Sequence, residues 1–246
     1  MSNNIIDNKQ FISDITQKRL ISDITSLYKN PLNDQGIFYV HDDENILKGY
    51  SMIIGPKDTP YENGLYMFEF NFPYDYPYSP PKVVYCTNDG STRFNPNLYR
   101  SGKVCLSLLN TWRGEGWTSC QTIRSVLLTL VTVLNEKPLL NEPGITEKHK
   151  DFHPYNSIIT YKNYSFSILE SICGFSNYTI MLPFINFAKE HLLNQEVDIM
   201  NSLQLLSVKY PEPIQQNVSI YNMQVIINYP ELYTKMNDLF VSLKNE

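Results

Sequence analysis

Positive charge is scarce in this sequence. Lysine and arginine total 20 against 25 aspartates and glutamates, a net charge of -5. No general excess of cations exists to track a phosphate backbone, which argues against nucleic-acid binding. Cysteine is also scarce: Cys86, Cys105, Cys120 and Cys173 are the only ones in 246 residues. That is too few for a disulfide scaffold, so free thiols in a reducing compartment are expected. Long apolar runs are missing. The longest apolar cluster, Val126 to Leu134, is interrupted by Thr129 and Thr132, and it falls far short of the ~20 residues that cross a bilayer. Met1 to Gln10 has no basic stretch ahead of an apolar run and does not read as a secretory leader. Lys244-Asn245-Glu246 is no prenylation box. Together these absences predict an intracellular chain, cytoplasmic or nuclear, without a membrane partner.

Glycine is nearly missing from one end: only Gly174 follows Gly144. Glycine punctuates turns and strand ends, so the first part reads as turn-rich and the remainder does not. A boundary is expected near Glu142-Pro143-Gly144. The domain reading is a flexible N-terminus over 1–10, a core over 11–150 and a helical extension over 151–246, packed on or beside the core. Hydrophobic residues at 42% and charged residues at 18% suit a globular protein.

The spacing of Ile12, Ile15, Leu20, Ile24 and Leu27 predicts a helix over Phe11–Lys29, ended by Asn30-Pro31. Strand patterns follow at Gly36–Val40, Ile46–Ile54, Leu65–Phe72 and Lys82–Cys86. The third alternates Tyr66, Phe68, Phe70 and Phe72 against Met67, Glu69 and Asn71. Short connections between them suggest an antiparallel meander. An irregular stretch from Thr87 to Gly116 precedes a helix at Ser119–Asn135. Beyond Gly144 helices are expected at Asn156–Cys173, Tyr178–Asn194, Val197–Val208 and Val218–Lys244, with a break at Pro211 and Pro213. Pro230 should interrupt the last helix. The fold class is α+β, a sheet packed against helices.

The stretch from Phe94 to Leu106 carries chemistry. Cys105 sits in a non-regular segment, and Arg100 and Lys103 are close enough in sequence to stabilise a thiolate. Asn97, in a proline-fixed turn, could donate to an oxygen that becomes negative during acyl transfer. The plainer alternative is a small buried Cys105 and a turn-capping Asn97. Cys86, Cys120 and Cys173 show no ligand spacing and are expected to be packed thiols. His149 and His153 lie four apart without a completing ligand, so no metal is expected.

The wider succession is Tyr61-Glu62-Asn63-Gly64, the aromatic alternation, Phe72 to Val83 with its prolines, the Asn95-Pro96-Asn97 turn, Cys105, and Trp117 to Ile123 opening a helix. It resembles the ubiquitin-conjugating enzyme family over about Phe11 to Gly144. The run from Arg93 to Trp117 and the Asn141-Glu142-Pro143-Gly144 ending resemble the family's long, divergent members with C-terminal helical extensions, charged by the alternative ubiquitin-activating enzyme. The resemblance implies the ubiquitin-conjugating core, made of an N-terminal helix, a four-stranded antiparallel meander, an active-site loop and helices, plus that α-helical extension. It implies that Cys105 carries ubiquitin as a thioester and that Asn97 stabilises the oxyanion or orders the loop. Asn95 replaces the usual histidine as a loop brace. Glu142, or Asn141 one residue earlier, orients the incoming amine. Lys18 and Arg19 meet the activating enzyme. Tyr78 and Ser119 meet a ubiquitin ligase, although Ser119 stands where proline is usual. The implied partners are ubiquitin or a ubiquitin-like protein, the activating enzyme and a ligase. The expected protein is a monomer that needs no cofactor. The alternatives are a carrier for another ubiquitin-like modifier and a catalytically inactive ubiquitin-binding scaffold.

Overall fold

The structure, a computed structural model, describes residues 12–174 and 179–245. Phe11 and the segment 1–10 therefore lie outside the described residues.

Helix α1 (Asp14–Lys29) begins where the Ser13 side chain accepts the Thr16 amide, 3.1 Å away. A hydroxyl there satisfies an N–H that the first turn leaves without an intrahelical partner. The buried seam is Thr16, Leu20, Asp23 and Leu27: Leu20 and Leu27 of the predicted stripe lie in it and Ile24 packs against the core, while Ile15 is 57% exposed. The seam is partly polar because both of its polar side chains are paired. Thr16 donates to the Tyr74 carbonyl at 2.8 Å, and Asp23 accepts from the buried Tyr76 hydroxyl.

Strands β1 (Ile37–His41), β2 (Lys48–Ile54), β3 (Leu65–Asn71) and β4 (Lys82–Tyr85) form the four-stranded antiparallel meander in sequence order. Helix α2 (Ile123–Val133) starts later than its periodicity suggests. Thr122 and Ser125 cap one another's backbone, and that reciprocal pair fixes the start. The β3 face carrying Tyr66, Phe68 and Phe70 shares one core with Leu127 and Leu130 of α2.

Helix α3 (Phe152–Lys162) widens into a π-helical stretch, Asn163–Glu170, and ends in a last turn α4 (Ser171–Cys173). Within the wide turn Asn163 accepts from the Tyr66 hydroxyl at 2.6 Å and donates to the Glu62 carbonyl at 2.8 Å. Gly64 lies beneath it, and a Cβ there would come within 1.9 Å of the Asn163 oxygen. After a 3-10 stretch, Thr179–Phe184, comes α5 (Ile185–Lys209), a single helix where two were predicted. No glycine or proline interrupts it. Tyr178, the predicted start of the first of these helices, lies outside the described residues.

The expected Val218–Lys244 helix is replaced by a hairpin, β5 (Ile214–Val218) and β6 (Met223–Ile227), followed by α6 (Tyr229–Asn245). The extension is thus mixed rather than purely helical. Pro230 does not interrupt α6. It sits in the first turn, where a missing N–H costs nothing, and the Asn228 side chain accepts the Glu231 amide at 3.2 Å. Helices α5 and α6 cover the second face of the sheet. Met52, Leu65 and Met67 are buried there with Ala188, Leu192 and Phe240. No helix among the described residues is long and apolar enough to cross a membrane.

Candidate active site

The loop that holds Cys105 is stitched to the sheet edge. Lys103 bridges to Val84 and Leu98 to Val104, and Tyr85 N–H donates to the Gly102 carbonyl at 2.8 Å. Gly102 adopts φ +82°, a left-handed conformation that an L side chain would strain. The turn delivers Cys105 opposite Asn97. Cys105 N–H donates to the Asn97 carbonyl at 2.9 Å, and Asn97 Nδ2 donates to the Cys105 carbonyl at 2.7 Å. The sequence step between these two residues is therefore closed by hydrogen bonds at both ends.

Cys105 is 2% exposed. The Asn97 amide donor is spent on the cysteine's own carbonyl, which orders the loop, while Asn97 Oδ1 is buried without a hydrogen-bond partner. An unpaired buried acceptor costs about 1–3 kcal/mol.

Asn95 is fully buried and ties the loop to the rest of the core. Its Nδ2 donates to the Tyr61 hydroxyl (2.8 Å) and the Val133 carbonyl (2.7 Å). Its Oδ1 accepts from Asn97 N–H (2.9 Å) and Asn141 Nδ2 (3.3 Å). Asn141 also donates to the Val133 carbonyl at 3.0 Å. Arg93 lies along the outside of the loop. It donates to the Asn95 and Pro96 carbonyls and places its guanidinium 3.2 Å from the centroid of the Tyr99 ring.

Glu142 is half-buried, and its Oε2 accepts from the Tyr221 hydroxyl at 2.6 Å. Arg100, expected beside the thiol, turns its Nη2 to the Tyr221 carbonyl at 2.6 Å, and Lys103 lies over the Tyr99 ring. The cations near Cys105 in sequence are thus engaged elsewhere. Tyr221, Arg93 and Tyr61 belong to this network; in the sequence Arg93 and Tyr61 stood in the motifs without a role, and Tyr221 was missed. A signal for Tyr221 was present in the alternation of Ile214, Gln216 and Val218, then Met223, Val225 and Ile227, around a turn where Asn222 has φ +48°.

The surface residues group as well. Lys18 is exposed. Arg19 is bonded inward, to Asp23 (2.9 Å), the Ser119 carbonyl (2.7 Å) and the Gln121 carbonyl, so it clamps α1 to the Ser119 loop. Trp117 Nε1 donates to the Pro77 carbonyl at 2.7 Å and joins that loop to the one carrying Tyr78, which is 67% exposed. Contrary to expectation, Cys120 and Cys173 are exposed rather than packed. Cys86 is half-buried, and burial pushes its thiol up to about 11. His149 precedes α3 while His153 lies within it, and among the described residues no group of three potential ligands could hold a metal.

A family model described as "Ubiquitin-conjugating enzyme" matches residues 19–160. The chain belongs to the ubiquitin-conjugating enzyme family. It is 43% identical over 159 residues to "Ubiquitin-conjugating enzyme E2 Z" of Xenopus tropicalis, covering 63% of this chain and 50% of that protein. The human protein of the same name matches at 43% identity, with 63% and 44% covered. The human "Dual E2 ubiquitin-conjugating enzyme/E3 ubiquitin-protein ligase BIRC6" is 47% identical over 137 residues, 52% of this chain and 3% of that protein. The chain spans about half the length of the E2 Z relatives it matches. The loop and its asparagines lie between β4 and α2.

Proposed function

We propose that this member of the ubiquitin-conjugating family is an active ubiquitin carrier, with Cys105 as its thioester nucleophile. The observation that carries the reading is the reciprocal pairing of Cys105 with Asn97 in a loop braced by buried Asn95. In the first transfer the Cys105 thiolate attacks the carbonyl of ubiquitin bound to an activating enzyme. The old C–S bond breaks and a new one forms on Cys105. In the second, an acceptor ammonium gives one proton to solvent, because a free lysine holds it with a pKa of about 10.4. The neutral nitrogen then attacks the thioester carbonyl. The C–N bond forms, the C–S bond breaks, and of the nitrogen's two remaining protons one passes to the departing sulfur while the other stays on the new amide.

Asn97 orders the loop in the resting chain and becomes an oxyanion donor when its amide leaves the Cys105 carbonyl. Removing one such donor costs about 10²–10³ in rate. Glu142 orients the acceptor amine. Lys18 contacts the acidic surface of the activating enzyme, while Arg19 shapes the same face from within. Tyr78 and Ser119 offer adjoining loops to a ligase. The coverage of Cys105 implies that charging begins with a small displacement of the groups over the sulfur.

The test is incubation with activating enzyme, ubiquitin and ATP, followed by non-reducing gels. A reductant-sensitive adduct that Cys105→Ala abolishes supports the carrier. Its absence with every activating enzyme and modifier tried leaves the inactive scaffold. Charging by another modifier alone identifies a carrier for a ubiquitin-like protein.

A further inference from the structure

The hairpin β5–β6 lies beyond the residues that the family model matches, yet its turn is bonded to both halves of the candidate site. Ser219 Oγ and Ile220 N–H donate to Asp151 Oδ2 at 2.8 and 2.9 Å. Arg93 N–H donates to the Met223 sulfur at 3.2 Å. Between these anchors, the Tyr221 backbone carbonyl is held by Arg100, from the turn leading into Cys105, and the Tyr221 hydroxyl is spent on Glu142. The ring lies against Tyr155, with centroids 5.7 Å apart, and the Arg93 guanidinium is 5.3 Å from its centre. Burial, then the bond to Glu142, pushes the phenol well above its ordinary value, so it remains a neutral donor at physiological pH.

A glutamate on a short loop turns freely about its side-chain bonds unless something pins it. Here the phenol takes Oε2, which pins the carboxylate; Oε1 is the oxygen that would receive an incoming ammonium. The geometry points to Tyr221 as a positioning residue for acyl transfer, one that holds Glu142 in place and makes the C-terminal hairpin part of the acceptor site. This inference rests on the carrier reading.

The experiment isolates the Cys105-loaded thioester and follows its single-turnover discharge to free lysine. Wild type, Tyr221→Phe, Glu142→Gln and the double variant are compared across lysine concentrations. A lost hydrogen bond of this kind is worth about tenfold. Tyr221→Phe is expected to raise the lysine concentration for half-maximal rate by about that factor, with a smaller change in the limiting rate. The double variant should discharge no more slowly than Glu142→Gln. The cycle compares Tyr221→Phe with and without the carboxylate, so a general loosening of the hairpin cancels. An unchanged lysine dependence in Tyr221→Phe, or losses that multiply in the double variant, overturns the inference. A wild-type chain that never loads Cys105 contradicts the carrier reading and removes this inference with it. A chain that loads, with a lysine dependence indifferent to Tyr221, contradicts the inference alone.

Discussion

Truncating Asn95 to alanine should loosen the cysteine loop from the core. The change leaves the buried Asn97 N–H without its partner, while the Tyr61 hydroxyl keeps the Phe94 carbonyl and the Val133 carbonyl keeps Asn141. Each buried polar group left unpaired costs about 1–3 kcal/mol. Denaturant unfolding should therefore show a loss of at least that size, and hydrogen exchange should rise at Asn97 and Cys105. At this scale the local arrangement was largely legible. A cysteine in an irregular segment after an Asn-Pro-Asn turn is a local pattern, and the structure places both residues in one closed loop. What each amide is bonded to was not legible, because Tyr61, Val133 and Asn141 are far from Asn95 in sequence. Arg19 makes the same point. Its charge was visible, but its inward bonds to Ser119 and Gln121 depend on how α1 meets the next helix.

Among the elements, the hairpin docks through a titratable group, Asp151. Burial acts to raise the Asp151 carboxyl, but the Ile220 amide and the Ser219 hydroxyl overrule it and hold it below the usual carboxylate range. Its contribution is therefore complete at neutral pH and is lost as pH falls through the folded value, beneath the ~3.9 of a free aspartate. The protection factor against hydrogen exchange across Ile214–Ile227 should be constant from neutral pH to about pH 5 and then fall in acid, and Asp151→Asn should remove that fall. The meander and helices α1 and α2 were readable because each buries a face with its own period. The hairpin was not. Pro211 and Pro213 announced a break, but Gln216 stands on the apolar side of the first strand and blurs the alternation after them. The docking of the turn on Asp151 and Arg100 joins residues far apart in sequence and was not visible there.

At the scale of the whole molecule, the sheet is covered on both faces, by α2 on one side and by α5 and α6 on the other. Leu192 is fully buried in that second layer. Leu192→Ala should lower stability by about 2–5 kcal/mol, measured by urea unfolding, although the residue lies far in sequence from the sheet it covers. The sequence showed helical stripes capable of packing, but not which face they would seek. Leu65 and Met67 looked like the outer side of an alternating strand until the extension closed over them. The claim on which the rest depends is that Cys105 becomes acylated, and intact-mass measurement after incubation with activating enzyme, ubiquitin and ATP tests it most directly. The predicted result is a single added ubiquitin that a thiol reductant releases and that peptide mapping assigns to Cys105. A ubiquitin adduct that survives reductant, or one that maps to Cys86, Cys120 or Cys173, would contradict it.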